Sequence, residues 1–144
     1  MQDQPEILSR RPLSVAEERT WAMLAHLSVL FNLVSGFLGI VTALIIYAIY
    51  RERSRYVAYQ AFQAFLFQLV FWGGSTLVVA LTWVVSSLLA VVLIGLLLIP
   101  LACLLSLLPL GAVGYGVVAG LRVNQGEDFR YWLVGEWVDA LKVV

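Results

Sequence analysis

Between Arg55 and Arg122 the chain runs for 66 residues without one Asp, Glu, Lys, Arg or His. Charged residues make up 12% of its 144 residues, where a soluble domain carries about 25%. A helix of roughly 20 apolar residues already crosses a hydrocarbon core of about 30 Å, so the uncharged stretch is long enough for at least two crossings. A second stretch, Trp21 to Tyr50, holds only His26 among those five residue types. Nine Lys and Arg balance nine Asp and Glu, and with no net charge there is no electrostatic case for nucleic acid. Cysteine is equally scarce. Cys103 stands alone, which excludes an intramolecular disulfide and a cysteine-based structural zinc site; it is expected to pack as a small apolar residue. Catalytic patterns are missing too. The chain has no paired buried carboxylates, no phosphate-cradling glycine loop and no nucleophile set at a plausible depth, so an enzyme is not expected.

What is present is long apolar helix. Residues 1–13, with Pro5 and Pro12, read as a flexible polar tail. Met1 to Thr20 is too polar and too rich in acids for a signal or transit peptide, so the chain is expected to insert as made. Ser14 and Glu17 have the spacing of a capping box, which marks a helix start. The 30 residues from Trp21 to Tyr50 would extend about 45 Å as one helix, well beyond the hydrocarbon core. Ser35-Gly36 and Gly39 offer a tight turn midway, giving two short helices, the second from about Phe37 to Tyr50. Arg51 to Arg55 is a solvated basic loop. A long helix is expected from about Tyr56 to Trp83, ending near Ser86-Ser87. A last membrane segment follows from about Leu88 to Leu121, kinked or divided by Pro100 and Pro109 and closed by Asn124-Gln125-Gly126. Residues 128–142 read as a short amphipathic helix lying in the interface, with Leu133, Trp137 and Leu141 on one face and Arg130 and Asp139 toward water.

Charge distribution decides the number of crossings. With four, all nine cationic residues lie on the side of the termini and the Arg51–Arg55 loop, as the positive-inside rule requires. Three crossings would divide them. The expectation is therefore an all-α integral membrane protein. Its parts are a tail (1–13), a four-span helical bundle (14–126) and an interfacial C-terminal helix (127–144), with both termini cytoplasmic and the chain in the cell membrane. Trp21, Tyr47, Tyr50, Tyr56, Tyr59 and Trp132 cluster at the cytoplasmic boundary as an aromatic belt.

Three features are candidates for function. On the long helix, Gln60, Gln63, Gln68, Ser75, Thr82 and Ser86 fall within an arc of roughly 140° at helical period, with Phe62, Phe65, Leu69, Trp72 and Trp83 opposite. Amides and hydroxyls in lipid seek partners on neighbouring helices, so the stripe either glues the bundle together or walls a hydrated conduit. It holds no ionisable group, which argues against an ion relay. His26 serves either as a hydrogen-bonding partner between helices or as an axial ligand to a haem or chlorophyll-type pigment. Ala112, Gly116 and Gly120 repeat small residues every four positions, a face that admits a closely packed helix. No metal site and no obligatory cofactor are expected.

Three blocks of sequence carry a resemblance. Trp21-Ala22-Met23-Leu24-Ala25-His26-Leu27-Ser28, then Tyr59-Gln60-Ala61-Phe62-Gln63-Ala64-Phe65, then Gly120 to Tyr131 resemble a family of small bacterial membrane proteins related to the channel-like subunit of the plastid inner-envelope import machinery. This Tic-twenty-like likeness covers most of residues 17–137. Trp132 stands where that family has proline, and the acidic positions of its middle block are not kept. The resemblance implies a four-helix membrane protein with cytoplasmic termini. The expected function is thus a non-catalytic accessory or assembly subunit, in contact with the lipid bilayer and with other membrane-protein subunits. A channel or translocon-like component built on the polar stripe is a second reading. A pigment-binding subunit is a third, with His26 as ligand or a carotenoid held on the aromatic surface.

Overall fold

The computed structural model describes residues 12–142. Most of the expected tail, and the last two residues of the expected C-terminal helix, lie outside these. Among the described residues the secondary structure is entirely helical.

Helix α1 (Val15–Leu27) starts at a capping box: the Ser14 hydroxyl accepts from the Glu17 amide at 3.3 Å and the Glu17 carboxylate accepts from the Ser14 amide at 2.7 Å. After a distortion at Ser28 the chain continues as α2 (Val29–Ser35). It reverses at Gly36, whose φ of +81° lies in the left-handed region that glycine enters without a steric penalty. Helix α3 (Leu38–Tyr50) returns along the first pair. Ser54 then caps α4 (Arg55–Phe67), accepting from the Val57 amide at 3.1 Å and donating to Glu18 at 2.6 Å, which fastens the loop to α1. A π-helical segment (Gln68–Gly73) leads without a break into α5 (Gly74–Ala90).

The expected turn near Ser86-Ser87 is five residues late. Ser86 donates back to the Thr82 carbonyl at 2.7 Å and keeps the helix going. The reversal falls at Val91–Leu93, with Leu93 at a φ of 63°. Sequence offers no glycine or proline to mark it, and Gly95 instead lies against the Ser86 carbonyl, where a Cβ would collide. The final apolar segment is divided into α6 (Ile94–Leu105) and α7 (Leu107–Asn124). Pro109 has no N–H to give the Leu105 carbonyl, and the break falls at Ser106. Pro100 is carried inside α6.

A strap of residues 125–133 follows, then α8 (Val134–Leu141). The expected helix over 128–142 is thus half as long. Its first part is extended because Phe129 and Tyr131 point into the bundle and are buried. Val134, Gly135 and Val138 form the packed face of α8, while Trp137 and Leu141, expected on the face that meets the membrane interface, are exposed.

Helix α1 lies between α4 and α7, α3 packs on α4, and α6 packs on α5. The core at the α1–α4–α7 junction is built from alanines, Val123, Phe67, Phe129, Tyr131 and the α8 valines. Outward-facing positions are dominated by Leu, Val, Ile and Phe. The runs Arg55–Ala90 and Ile94–Asn124, 36 and 31 residues long, are each long and apolar enough to cross a membrane; Leu38–Tyr50 is apolar but shorter.

Candidate functional site

The polar stripe of the long helix separates into two kinds of residue. Gln60, Gln63 and Gln68 are fully buried. Ser75, Thr82 and Ser86 bond to carbonyls of their own helix: Ser75 to Phe71 and Trp72, Thr82 to Val78 at 2.8 Å, and Ser86 to Thr82. The structure therefore gathers the three amides and leaves the hydroxyls out.

Gln60 and Gln63 form one network with His26, Phe129 and Tyr131. Gln60 donates through its amide nitrogen to the Phe129 carbonyl at 3.2 Å, and Gln63 does so at 3.1 Å. The Gln63 side-chain oxygen accepts from the Tyr131 backbone N–H at 2.8 Å. These contacts fix the amide orientations, so the Gln60 oxygen faces His26 Nε2 at 3.0 Å and must be the acceptor there. Nε2 then carries the proton, and Nδ1 accepts from the Tyr131 hydroxyl at 3.1 Å. Both ring nitrogens of His26 are engaged. Tyr131 stacks on Phe67 with centroids 3.9 Å apart, and Tyr115 and Phe129 meet it edge-on. Burial raises the Tyr131 phenol well above its ordinary range, with Tyr115 adding to the rise.

One and a half turns deeper lies a second network. Gln68 accepts from Asn32 at 3.1 Å and donates to the Ser28 hydroxyl at 3.0 Å. Asn32 accepts from the Gly39 N–H at 2.8 Å, and the Ser28 hydroxyl reaches the Gly39 carbonyl at 2.9 Å. Trp72, expected opposite the amides, is buried beside them and donates to the Gly36 carbonyl at 2.7 Å. The π-helical turn holds Gln68 and Trp72 on this face.

Ala112, Gly116 and Gly120 are buried along α7. A Cβ at Gly116 would meet Val29 at 2.9 Å, and one at Gly120 would meet Leu27 at 3.1 Å. Their partner is thus the α1–α2 pair. Sequence reasoning missed Asn32, Phe129 and Tyr131 as members of these networks. The signal for Asn32 was an uncompensated amide in an apolar run; for the aromatics there was only their alternation with Asp128, Arg130 and Trp132.

A family model matches residues 17–138, which span both networks, the strap and the first five residues of α8. The chain belongs to the magnetosome magnetite crystal formation protein family. This corrects the Tic-twenty-like assignment: the three blocks that suggested an import-channel relative lie within the span of a different family. No curated protein and no solved structure matches the chain. Residues of both networks lie inside the matched span, so the buried amides and the docked strap belong to the part of the chain that carries the family likeness.

Proposed function

We propose that the chain is a non-catalytic, four-span membrane subunit that supports magnetite crystal formation as a structural or assembly component. The observation that carries this reading is the use of the interior polar groups. Gln60, Gln63, Gln68, His26 and Asn32 all bond to one another or to backbone within the bundle. Such groups hold helices together in a medium that offers no water. They favour a rigid scaffold over a wet conduit, and the doubly engaged His26 favours packing over ligation of a pigment or haem.

Four crossings by α1–α2, α3, α4–α5 and α6–α7 would put the Arg51–Arg55 loop, the strap and both termini on one side, in keeping with the cationic residues of the sequence. By that rule the side is cytoplasmic. The opposite side has the turns at Gly36 and Val91–Leu93, and no Asp or Glu occurs between Thr20 and Tyr50 or between Tyr56 and Leu121. Carboxylates, which are good oxygen donors to hard cations, are therefore confined to the end bearing the termini. That distribution supports an accessory role over one in which this chain templates mineral with acidic turns on the far side.

Purification from native membranes in a mild detergent, followed by native mass spectrometry, tests the proposal. Other membrane proteins in fixed stoichiometry are the expected result. A chain that emerges only alone or as a homo-oligomer, and that conducts ions in liposomes with Gln63→Leu abolishing the current, would replace it with the channel reading.

A further inference from the structure

The joint between the π-helical segment and α5 lies close to the level of the joint between α6 and α7. Trp72, near the end of the π-helical segment, donates to the carbonyl of Gly36 in the turn of the first hairpin and packs with Val29 and Val113. Gly73 and Gly74 follow it, and Ser75 lines one apolar cleft with Leu108 at the start of α7. Three interruptions of the helices thus meet where the packing of the bundle ends. Beyond them α5 and α6 pack on each other. Gly95 lies against the Ser86 carbonyl, and Trp83 donates to the Ser106 hydroxyl at 3.3 Å. Among the described residues neither helix makes more than marginal contact with α1 to α4.

Length decides what that hairpin can do. At about 1.5 Å per residue, Arg55–Gly73 reaches about 28 Å and α7 about 27 Å, each close to the hydrocarbon thickness of about 30 Å. The crossing is therefore complete at the joint, and the 17 residues of α5 add about 25 Å. Held straight, the 36-residue run measures about 54 Å. A tilt of about 40°, the upper end of the usual range, still leaves about 41 Å along the membrane normal. Nor can the excess stand in water, since Leu77, Leu81 and Leu88 are exposed on it and no charged residue occurs from Tyr56 to Leu121.

The surface of α5 shows which way it lies. At helical period Thr76, Ala80, Trp83 and Ser87 share an arc of about 60°, and all four are exposed. Val78, Leu81, Val85 and Leu88 lie roughly opposite and are exposed as well. Ser86, against Gly95, marks the side between them that faces α6. A helix upright among acyl chains has no use for two different lipid-facing sides. One lying flat does, because hydroxyls and an indole suit the headgroup boundary while branched aliphatics suit the interior.

We propose that the α5–α6 hairpin folds over at this joint and lies flat in the leaflet opposite the Arg51–Arg55 loop, with Trp83 and Ser87 toward the headgroups and Val85 and Leu88 toward the acyl chains. Its partner is that leaflet, and its insertion adds material to one half of the bilayer only. The assignment rests on the four-span reading above. At the tip, the Val92 and Leu93 amides bond to the Leu89 and Ala90 carbonyls at 3.1 and 3.0 Å, so the turn tolerates a depth that offers little water.

Spin labelling tests the fold-over, in a Cys103→Ser background reconstituted into dioleoyl phosphatidylcholine vesicles. Depth is read from the balance of relaxation by oxygen and by a water-soluble nickel chelate. Labels at Val78→Cys, Leu81→Cys, Val85→Cys and Leu88→Cys should report one common depth. Those at Thr76→Cys and Ser87→Cys should lie shallower by about 10 Å, one helix diameter. An upright hairpin would instead separate Val78→Cys from Leu88→Cys by about 15 Å, and that result would overturn the proposal. Leu110→Cys, Val118→Cys and Leu121→Cys check the crossing by α7, and the outer two should differ by about 16 Å. A stepped series on both helices sinks the fold-over alone. A flat series on α7 contradicts the four-span reading, and the proposal falls with it.

Discussion

Gln63 is the residue on which the docked strap depends most directly. Its oxygen accepts from the Tyr131 backbone and its nitrogen donates to the Phe129 carbonyl and to Gln60. Gln63→Leu would leave the Tyr131 N–H buried without a partner, and an orphaned buried donor costs about 1–3 kcal/mol. Thermal unfolding in detergent should register that loss, and Tyr131→Phe, which leaves the buried His26 Nδ1 without the hydroxyl it accepts from, should fall in the same range of about 1–3 kcal/mol. Gly39 makes a sharper contrast. A Cβ there would run into the Ser28 carbonyl and lie 2.7 Å from the Gln68 oxygen, so Gly39→Ala should break the deeper network and lower yield or melting temperature. Gly114→Ala, with open space around it, should be tolerated and slightly stabilising through helix propensity. That the three glutamines needed partners could be read from their place in an uncharged helix. Which partners Gln60 and Gln63 would find could not, because they dock on backbone atoms of a segment whose composition suggested solvent.

At the scale of elements, local chemistry made the first half of the chain easier to read than the second. The capping box at Ser14 and the turn at Gly36 are written in residues whose geometry has few alternatives. The turn at Val91–Leu93 is not, since Leu93 takes a left-handed conformation that its side chain does not favour. The C-terminal helix was read too long for a related reason: nothing local showed that Phe129 and Tyr131 would be drawn into the bundle, leaving only Val134–Leu141 helical. The strap that precedes α8 has a pH signature. The buried Tyr131 phenol holds its proton more tightly folded than unfolded, so its contribution is intact below the ordinary tyrosine range of about 10. It is lost only as pH climbs through the raised folded value, because above about pH 10 the unfolded chain binds fewer protons than the folded one. Tyrosinate absorbance should therefore show one late step that coincides with loss of near-ultraviolet circular dichroism, and Tyr131→Phe should abolish that step. A late step that survives the substitution would move the constraint to another tyrosine.

Taken whole, the molecule places its polar groups and its charges in separate zones. The amides and the histidine are consumed inside, the lipid-compatible side chains face out, and the charged residues among those described gather at the end that bears the strap. Composition alone made the membrane character legible, and the cationic distribution suggested which segments share a side. The family could not be read from the same residues, since the blocks around His26, Gln60 and Gly120 answer to demands of helix packing that different membrane families share. The arrangement leads to a definite topology, and cysteine accessibility in sealed vesicles tests it most directly. In a Cys103→Ser background, Glu52→Cys and Lys142→Cys should react with an impermeant maleimide from one side only, and Phe37→Cys and Val91→Cys from the other. Labelling of position 37 or 91 from the same side as position 52, or of position 142 from the side opposite to it, would contradict the four-span account.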